Sequence, residues 1–234
     1  VKPPPMAECE QWPLIKLLDF EKEVTGMFMS GHPLDNFSFQ LKHYGLTTIS
    51  EFNDFKEAVN LHPNPGRTFR IAGLVAEAQH RIAKSGNKYG VFYIEDYTAK
   101  MELMLFSDDY VKFSNYLEAG MVIFLTGTFR QRYNKSEFEF KVNQISLLES
   151  LMKSCTRKLQ IELAPENISG EFIDFITGNV HQFPGNSSLK FCINDSKSHL
   201  KFGMYTLEKG FEMNDEMATY LQQKPELDVQ VELT

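Results

Sequence analysis

"RTFRIAGLVAEAQHRIA", Arg67 to Ala83, is the stretch on which the fold turns. It is rich in β-branched and apolar residues over a length well beyond an ordinary strand. Gly73 interrupts it, and a glycine inside a strand pattern marks a place where the strand can bend sharply. Downstream, "KSGNK" predicts a turn, "YGVFYIED" a strand, "YTA" a second turn, and "KMELMLF" alternates polar and apolar as a third strand. "SDDYVKFSNYLEAG" predicts a helix, with Ser107 as its cap, Asp108 and Asp109 in the first turn, and Gly120 closing it. "MVIFLTGTFRQR" and "SEFEFKVNQISLL" read as a hairpin joined by "YNK". The order β-β-β-α-β-β with a bent first strand is that of a five-stranded OB-fold barrel over residues 67–149. An SH3-like barrel would lack this helix at this place.

Upstream, residues 1–66 read as a helical connector. Leu14, Leu17, Leu18, Val24 and Phe28 recur at near-helical spacing. In "SGHPLD", Gly31 is expected to end that helix and Pro33 to begin the next. His32 and Asp35 invite an acid/base reading, but the local one is preferred. Asp35 falls at the third helical position, where a carboxylate caps exposed N–H groups, and His32, held extended by the following proline, bonds locally. Leu34, Phe37, Leu41 and Tyr44 form one apolar stripe, and Gly45 ends it. A third helix starts at Thr47 or Thr48, and "HPNPG", residues 62–66, marks the boundary. Past a charged linker at 150–158, residues 150–234 read as β-α-β-β-α-β, a small ferredoxin-like α+β domain. The whole is a multi-domain α+β chain.

A chain of 234 residues with 42% apolar and 13% aromatic residues has material for more than one core. It starts at Val1, so a piece of a larger protein is expected. The longest run of large apolar residues, Met121 to Leu125, is far short of the roughly 20 needed to span a bilayer, and no signal-peptide pattern is visible, so a cytoplasmic protein without membrane contact is expected. Cys9, Cys155 and Cys192 form no close pair, and the histidines at 32, 43, 62, 80, 181 and 199 are equally scattered. Reduced thiols, no metal and no cofactor are expected.

The net charge of −7 conceals an uneven distribution. Residues 1–66 carry 5 Lys/Arg against 9 Asp/Glu, 67–149 carry 11 against 10, and 150–234 carry 8 against 12. Within the barrel segment, six of the eleven cations lie in two loops that contain no acid: Arg81, Lys84 and Lys88 in one, and Arg130, Arg132 and Lys135 in the other. These are the loops that frame the oligonucleotide-binding face of an OB barrel, so a local nucleic-acid footprint is expected. Tyr89, Tyr93, Tyr133 and Phe138 lie beside them and are candidates to stack on unpaired bases. Each could equally face the barrel interior, since half of a strand's residues do. No phosphate-binding GxxxxGK[ST], GxSxG or HExxH pattern occurs, and Asp108–Asp109 reads as helix N-terminal acid rather than a metal site, so this piece is not expected to be an enzyme.

"EKEVTGMFMSGHPL" resembles the E-[KR]-E-x-x-G-x-x-x-S-G-H-P-[LI] segment of the alpha subunits of bacterial DNA polymerase III, the family C replicative polymerases. "AGLV", "KSGN" and "MELMLF" are similar, in order, to stretches of that family's OB domain, and "LKFGMYTL" and "DVQVELT" to its C-terminal domain. The resemblance implies a non-catalytic C-terminal part of a replicative polymerase, since the family's catalytic aspartates lie upstream in a palm domain and nothing here matches them. It implies an OB domain near single-stranded template, with contact falling on Arg81, Lys84, Lys88, Arg130, Arg132 and Lys135. It also implies a C-terminal domain that docks the clamp-loader tau subunit, and association with the rest of the polymerase III core. The family's sliding-clamp motif has no match within residues 1–30, so clamp binding is not assigned. A purely protein-interacting module, with a barrel that does not bind DNA, stays open as the alternative; an RNA-binding barrel of a tRNA-handling enzyme would need a catalytic domain that the βαββαβ tail is not.

Overall fold

Gly26 and Gly45 end the first two α-helices with left-handed φ values of +78° and +58°, the conformation that glycine adopts without steric cost. The computed structural model of the chain describes residues 14–26, 29–60, 66–131, 137–205 and 210–234, and it divides into two compact units, Val1–Asn36 and Phe37–Thr234. In the first unit, α1 spans Leu14–Thr25, so this helix stops before Gly31, where the sequence pattern had placed its end. The chain beyond is held by Glu21, whose carboxylate accepts the backbone N–H groups of Met29 and Ser30, each at 2.8 Å. Asp35 accepts the N–H of His32 at 2.6 Å, and the His32 ring nitrogen Nδ1 accepts the N–H of Leu34 at 3.1 Å. His32 and Asp35 therefore bond locally, as expected, whereas Gly31 does not end the first helix.

In the second unit, α2 (Ser38–His43) follows a 3₁₀ turn at Pro33–Phe37. That tighter turn, with about three residues per turn, shifts the apolar face. Phe39 and Tyr44 are buried, while Phe37 and Leu41 of the expected stripe are only half-buried. Helix α3 (Ile49–Ala58) opens on a capping box. The Thr48 hydroxyl accepts the Glu51 N–H at 3.3 Å, and the Glu51 carboxylate accepts the Thr48 N–H at 3.2 Å. Most of "HPNPG" lies outside the described residues.

The barrel follows as β1 (Thr68–Ile82), β2 (Lys88–Glu95), β3 (Lys100–Phe106), α4 (Ser107–Phe113), β4 (Val122–Gln131) and β5 (Phe138–Leu147). Its strand order is β3-β2-β1-β4-β5, all antiparallel. β1 serves two neighbours: residues 68–74 pair with β4, and residues 74–82 pair with β2 across a bulge between Val75 and Glu77. At the changeover a Cβ on Gly73 would lie 2.5 Å from Ile94 Cγ2 and 2.9 Å from the Glu95 carbonyl oxygen, so only glycine fits. Lys141 on β5 forms an ion pair with Asp109 on α4, linking the helix to that strand. Ser107 is not the helix cap. It has φ +48°, and Phe106 precedes α4 without a side-chain capping bond.

α3 belongs to this barrel. Phe52 stacks at 5.7 Å on Phe129 and meets Phe69 and Phe140 edge-on at 5.5 and 4.8 Å. Phe52 and Phe69 are fully buried, and each such side chain contributes about 1.5–3 kcal/mol by leaving water. The same core includes Ile71, Phe92, Ile94, Leu103, Leu105, Ile123 and Leu125.

The expected linker at 150–158 is absent as such. A 3₁₀ turn at Leu148–Ser150 runs into α5 (Leu151–Cys155), where Leu148, Leu151 and Met152 are buried and Lys153 is exposed, and Arg157 and Lys158 already belong to the next strand. Beyond it come β6 (Thr156–Leu163), α6 (Gly170–Gln182), a short β7 (Pro184–Gly185), β8 (Ser188–Asp195), β9 (Leu200–Tyr205), a short β10 (Gly210–Phe211) that pairs with β7, α7 (Asp215–Gln222) and β11 (Asp228–Leu233). The main element order is the expected β-α-β-β-α-β. The strand order, β11-β6-β8-β9, corrects the ferredoxin-like expectation: β6 and β8 are direct parallel neighbours, whereas that fold splits its βαβ unit with another strand. α2 packs on this domain. The His43 ring bonds to the Val229 carbonyl at 3.0 Å, and the Tyr44 hydroxyl lies 2.6 Å from that of Thr156. The first region's helices thus divide, α2 to the C-terminal domain and α3 to the barrel.

Candidate nucleic-acid interface

On β2 and β3 the residues that enter the barrel core are Phe92, Ile94, Met101, Leu103 and Leu105, and the alternate positions form the other face, on which Val91 is itself buried. The register aligns these outward residues in rows across β1, β2 and β3. Arg81, Tyr89 and Phe106 form the row beside the turn at 83–87, Gln79, Val91 and Met104 the next, and Glu77, Tyr93 and Glu102 the third. Tyr89 and Phe106 are stacked, with ring centres 5.6 Å apart and planes 15° apart. Arg81 donates a hydrogen bond to the Gln79 amide oxygen and stays exposed.

The turn is closed by two backbone bonds, Ala83 N–H to the Asn87 carbonyl at 2.8 Å and Gly86 N–H to the Ala83 carbonyl at 2.9 Å. It holds Lys84 and Lys88 exposed next to the aromatic pair. Between turn and pair lies a depression of about 450 Å³, lined by Lys84, Ser85, Asn87, Lys88, Tyr89 and Phe106. A cationic rim over a flat aromatic wall is suited to a phosphate and a base held together.

The opposite end of the face has the other polarity. Tyr93 donates to Glu102 at 3.0 Å, and this carboxylate is what holds the Tyr93 hydroxyl above its ordinary range. Lys100 lies 3.4 Å from Glu95 and 3.8 Å from Glu77. Of the residues expected to meet nucleic acid, the fold therefore gathers Arg81, Lys84, Lys88 and Tyr89, and sets Tyr93 in an acidic row.

Arg130 is exposed near the end of β4, opposite Glu139, with its Nε 3.4 Å from the Thr128 hydroxyl. Since β4 pairs with the first half of β1 and β2 with the second, the two basic loops leave opposite ends of β1. Arg132, Tyr133 and Lys135 lie outside the described residues. Phe138 is corrected: it packs against the barrel core, and its N–H bonds to the Asn60 side chain at 3.0 Å.

Phe106 and Met104 were not singled out from the sequence. The signal was present in "KMELMLF": strict alternation puts Lys100 and Glu102 outward, and the same parity then puts two apolar residues in solvent, 49% and 56% exposed. Among the described residues no group of three or more His, Cys, Asp or Glu is arranged to hold a metal ion, and no helix is long and apolar enough to cross a membrane.

Comparison with known proteins adds independent findings. Residues 69–148 match the family described as an OB-fold nucleic acid binding domain, and residues 159–232 match the DNA polymerase III alpha subunit, C-terminal domain. The chain is 23% identical over 202 residues to DNA polymerase III subunit alpha of Escherichia coli (strain K12), covering 84% of this chain and 17% of that protein. It is 25% identical over 198 residues to the Bacillus subtilis (strain 168) subunit, covering 85% and 17%. The chain thus spans 17% of the length of these relatives. Among solved structures, it is similar to yeast Stn1 and Ten1 at 19% identity and a TM-score of 0.33, over 45% of this chain and 65% of that one. It is also similar to the single-stranded DNA binding protein from Thermus aquaticus at 16% identity and a TM-score of 0.26, over 42% and 61%. The two matched segments, in order, and relatives aligned over 84% and 85% of this chain support its reading as a C-terminal region of a DNA polymerase III alpha subunit.

Proposed function

We propose that this chain is the template-contacting and partner-docking end of a replicative DNA polymerase subunit in the bacterial cytoplasm, with polymerisation carried out by an upstream part of the protein. The observation that carries the DNA reading is the row Arg81–Tyr89–Phe106 with Lys84 and Lys88 beside it. Phosphate contacts by Lys and Arg supply affinity without sequence preference, and stacking supplies tolerance of any base. Arg130, Arg132, Tyr133 and Lys135 of the second basic loop are proposed as further DNA contacts, and Tyr93 borders the row. The separation of the cationic turn from the acidic row is how a chain of net charge −7 would contact a polyanion. Fluorescence anisotropy with a labelled single-stranded oligonucleotide, against duplex of the same length, tests it; single-strand preference is expected.

The C-terminal domain is assigned the docking of the clamp-loader tau subunit and of the rest of the polymerase core. Edge strand β9 supports this reading, because all six of its residues are exposed. Met204, 52% exposed, lines an apolar groove of about 290 Å³ with Phe172, Phe191 and Ile193, and Phe202, 51% exposed, lies on the same strand. An uncovered apolar edge of this kind is a surface for another chain. Capture of the cognate tau subunit by the 234-residue chain should be lost on joint Phe202→Ser and Met204→Ser substitution.

A second reading, in which the barrel face is itself a protein contact, draws on Met104, 49% exposed in the middle row. It predicts no oligonucleotide binding at low salt.

A further inference from the structure

Helices α6 and α7 hold an aromatic pair between them. The rings of Phe175 and Tyr220 are stacked, with centres 3.8 Å apart and planes 12° apart. At the C-terminal end of α7 the chain supplies its own cation to this pair. Lys224 Nζ lies 5.5 Å over the Tyr220 ring and 3.9 Å from the Glu171 carboxylate. A cation in that position is attracted both by the negative face of the ring and by the opposite charge beside it.

At the N-terminal end of α7 the same set recurs without a cation. Phe175, Thr219, Tyr220 and Gln223 line a depression of about 420 Å³ with Asp215 and Glu216. Among the described residues Asp215 and Glu216 form no ion pair, and no cation lies over Phe175. The two acids complement the dipole of α7, which accounts for their place in its first turn and leaves their charge in the depression. The Tyr220 hydroxyl is buried and has no hydrogen-bond partner among the described residues. Burial first, and then the charges of Glu171 and Glu226, push it above its ordinary range, so the phenol stays protonated in a negative field. Glu171, Asp174, Asp215, Glu216 and Glu226 are all exposed on this side, against Lys224.

We propose that the α6–α7 face is a docking surface for a basic protein segment: an Arg or Lys side chain of the partner lies over Phe175 against Asp215 and Glu216, as Lys224 lies over Tyr220 beside Glu171. Arginine fits best, because its planar guanidinium stacks on a ring and pairs with a carboxylate at once. The surface shares no lining residue with the groove beside Met204, so it is separate from the docking site assigned above.

Fluorescence anisotropy of a labelled oligo-arginine peptide, titrated with the 234-residue chain at low salt, tests this. Joint Asp215→Asn and Glu216→Gln substitution should weaken binding about tenfold, the loss of two exposed charge pairs. Phe175→Leu should weaken it about two- to fivefold, the loss of one exposed cation–π contact, and Phe175→Tyr should bind as the parent does. Hydrogen exchange should slow at residues 215–223 when the peptide binds. Joint Glu77→Gln, Glu95→Gln and Glu102→Gln on the barrel should leave affinity unchanged; a loss there equal to that at Asp215 and Glu216 would show general charge attraction and refute the site. Joint Phe202→Ser and Met204→Ser should also leave it unchanged, so this surface and the groove fail separately; an equal loss would place the peptide in the groove. No binding by the parent chain, parental affinity in the Asp215 and Glu216 variant, or displacement of the peptide by spermidine at matched charge would each overturn the proposal.

Discussion

The Asp96 carboxylate, in the turn between β2 and β3, accepts a hydrogen bond from the backbone N–H of Ile49 at 2.8 Å, 47 residues earlier in the chain. This ties the first turn of α3 to the barrel. The other carboxylate oxygen accepts the N–H groups of Thr98 and Ala99 at 2.7 and 3.0 Å. Asp96→Ala leaves these donors without their acceptor and should destabilise the chain by about 1–3 kcal/mol. Denaturant titration checks it, and an unchanged midpoint would show that α3 does not depend on this link.

Gly73→Ala tests the bend in β1. The new methyl would meet Ile94 Cγ2 at 2.5 Å and the Glu95 carbonyl at 2.9 Å, and the backbone atom cannot swing away as a side-chain end can. A loss of about 2 kcal/mol or more is expected, in line with overpacking at a close approach. Thermal unfolding with the parent midpoint would mean that β1 and β2 separate there at little cost.

Asp35→Ala removes the acceptor of the His32 N–H at 2.6 Å. The expected cost is about 1 kcal/mol, that of a helix cap, with DNA affinity unchanged. Lost affinity in a folded variant would make "SGHPLD" part of the binding machinery after all.

His43 supplies a pH dependence. Burial pushes its imidazole below the ordinary value of 6.5, outweighing the opposing hydrogen bond to the Val229 carbonyl. A folded-state value below the unfolded one means that the unfolded chain binds more protons in that window. The contribution is therefore complete above about pH 6.5 and is lost as pH falls through the folded value. His43→Gln should make the stability curve flatter below pH 6.5 than the parent's; identical slopes would contradict this.

Alternation in "KMELMLF" and the glycine in "RIAGLV" made the barrel legible, because strand period and a forced bend are local properties. The allegiance of the connector helices was not legible, since it is decided by partners far off in the chain: Asp96 and Phe129 for α3, Thr156 and Val229 for α2. Lys153, Arg157 and Lys158 give residues 150–158 the look of a linker in the sequence, while Leu148, Leu151 and Met152 are buried in the structure. In the C-terminal domain the element order followed from pattern, but which strand β8 pairs with is a matter of topology that period two does not encode. At the interface the charges were visible and the row of Phe106 was not, because an outward aromatic is recognised only once register fixes its neighbours.

The most direct test of the central claim is the salt dependence of single-stranded DNA binding by the parent chain and by a variant with Lys84, Lys88, Arg130 and Arg132 neutralised together. If about four phosphates are engaged, log K should fall against log salt with a slope of about −3 for the parent and flatten towards zero in the variant. Absence of binding at low salt, or a slope that the four substitutions leave unchanged, would contradict the account.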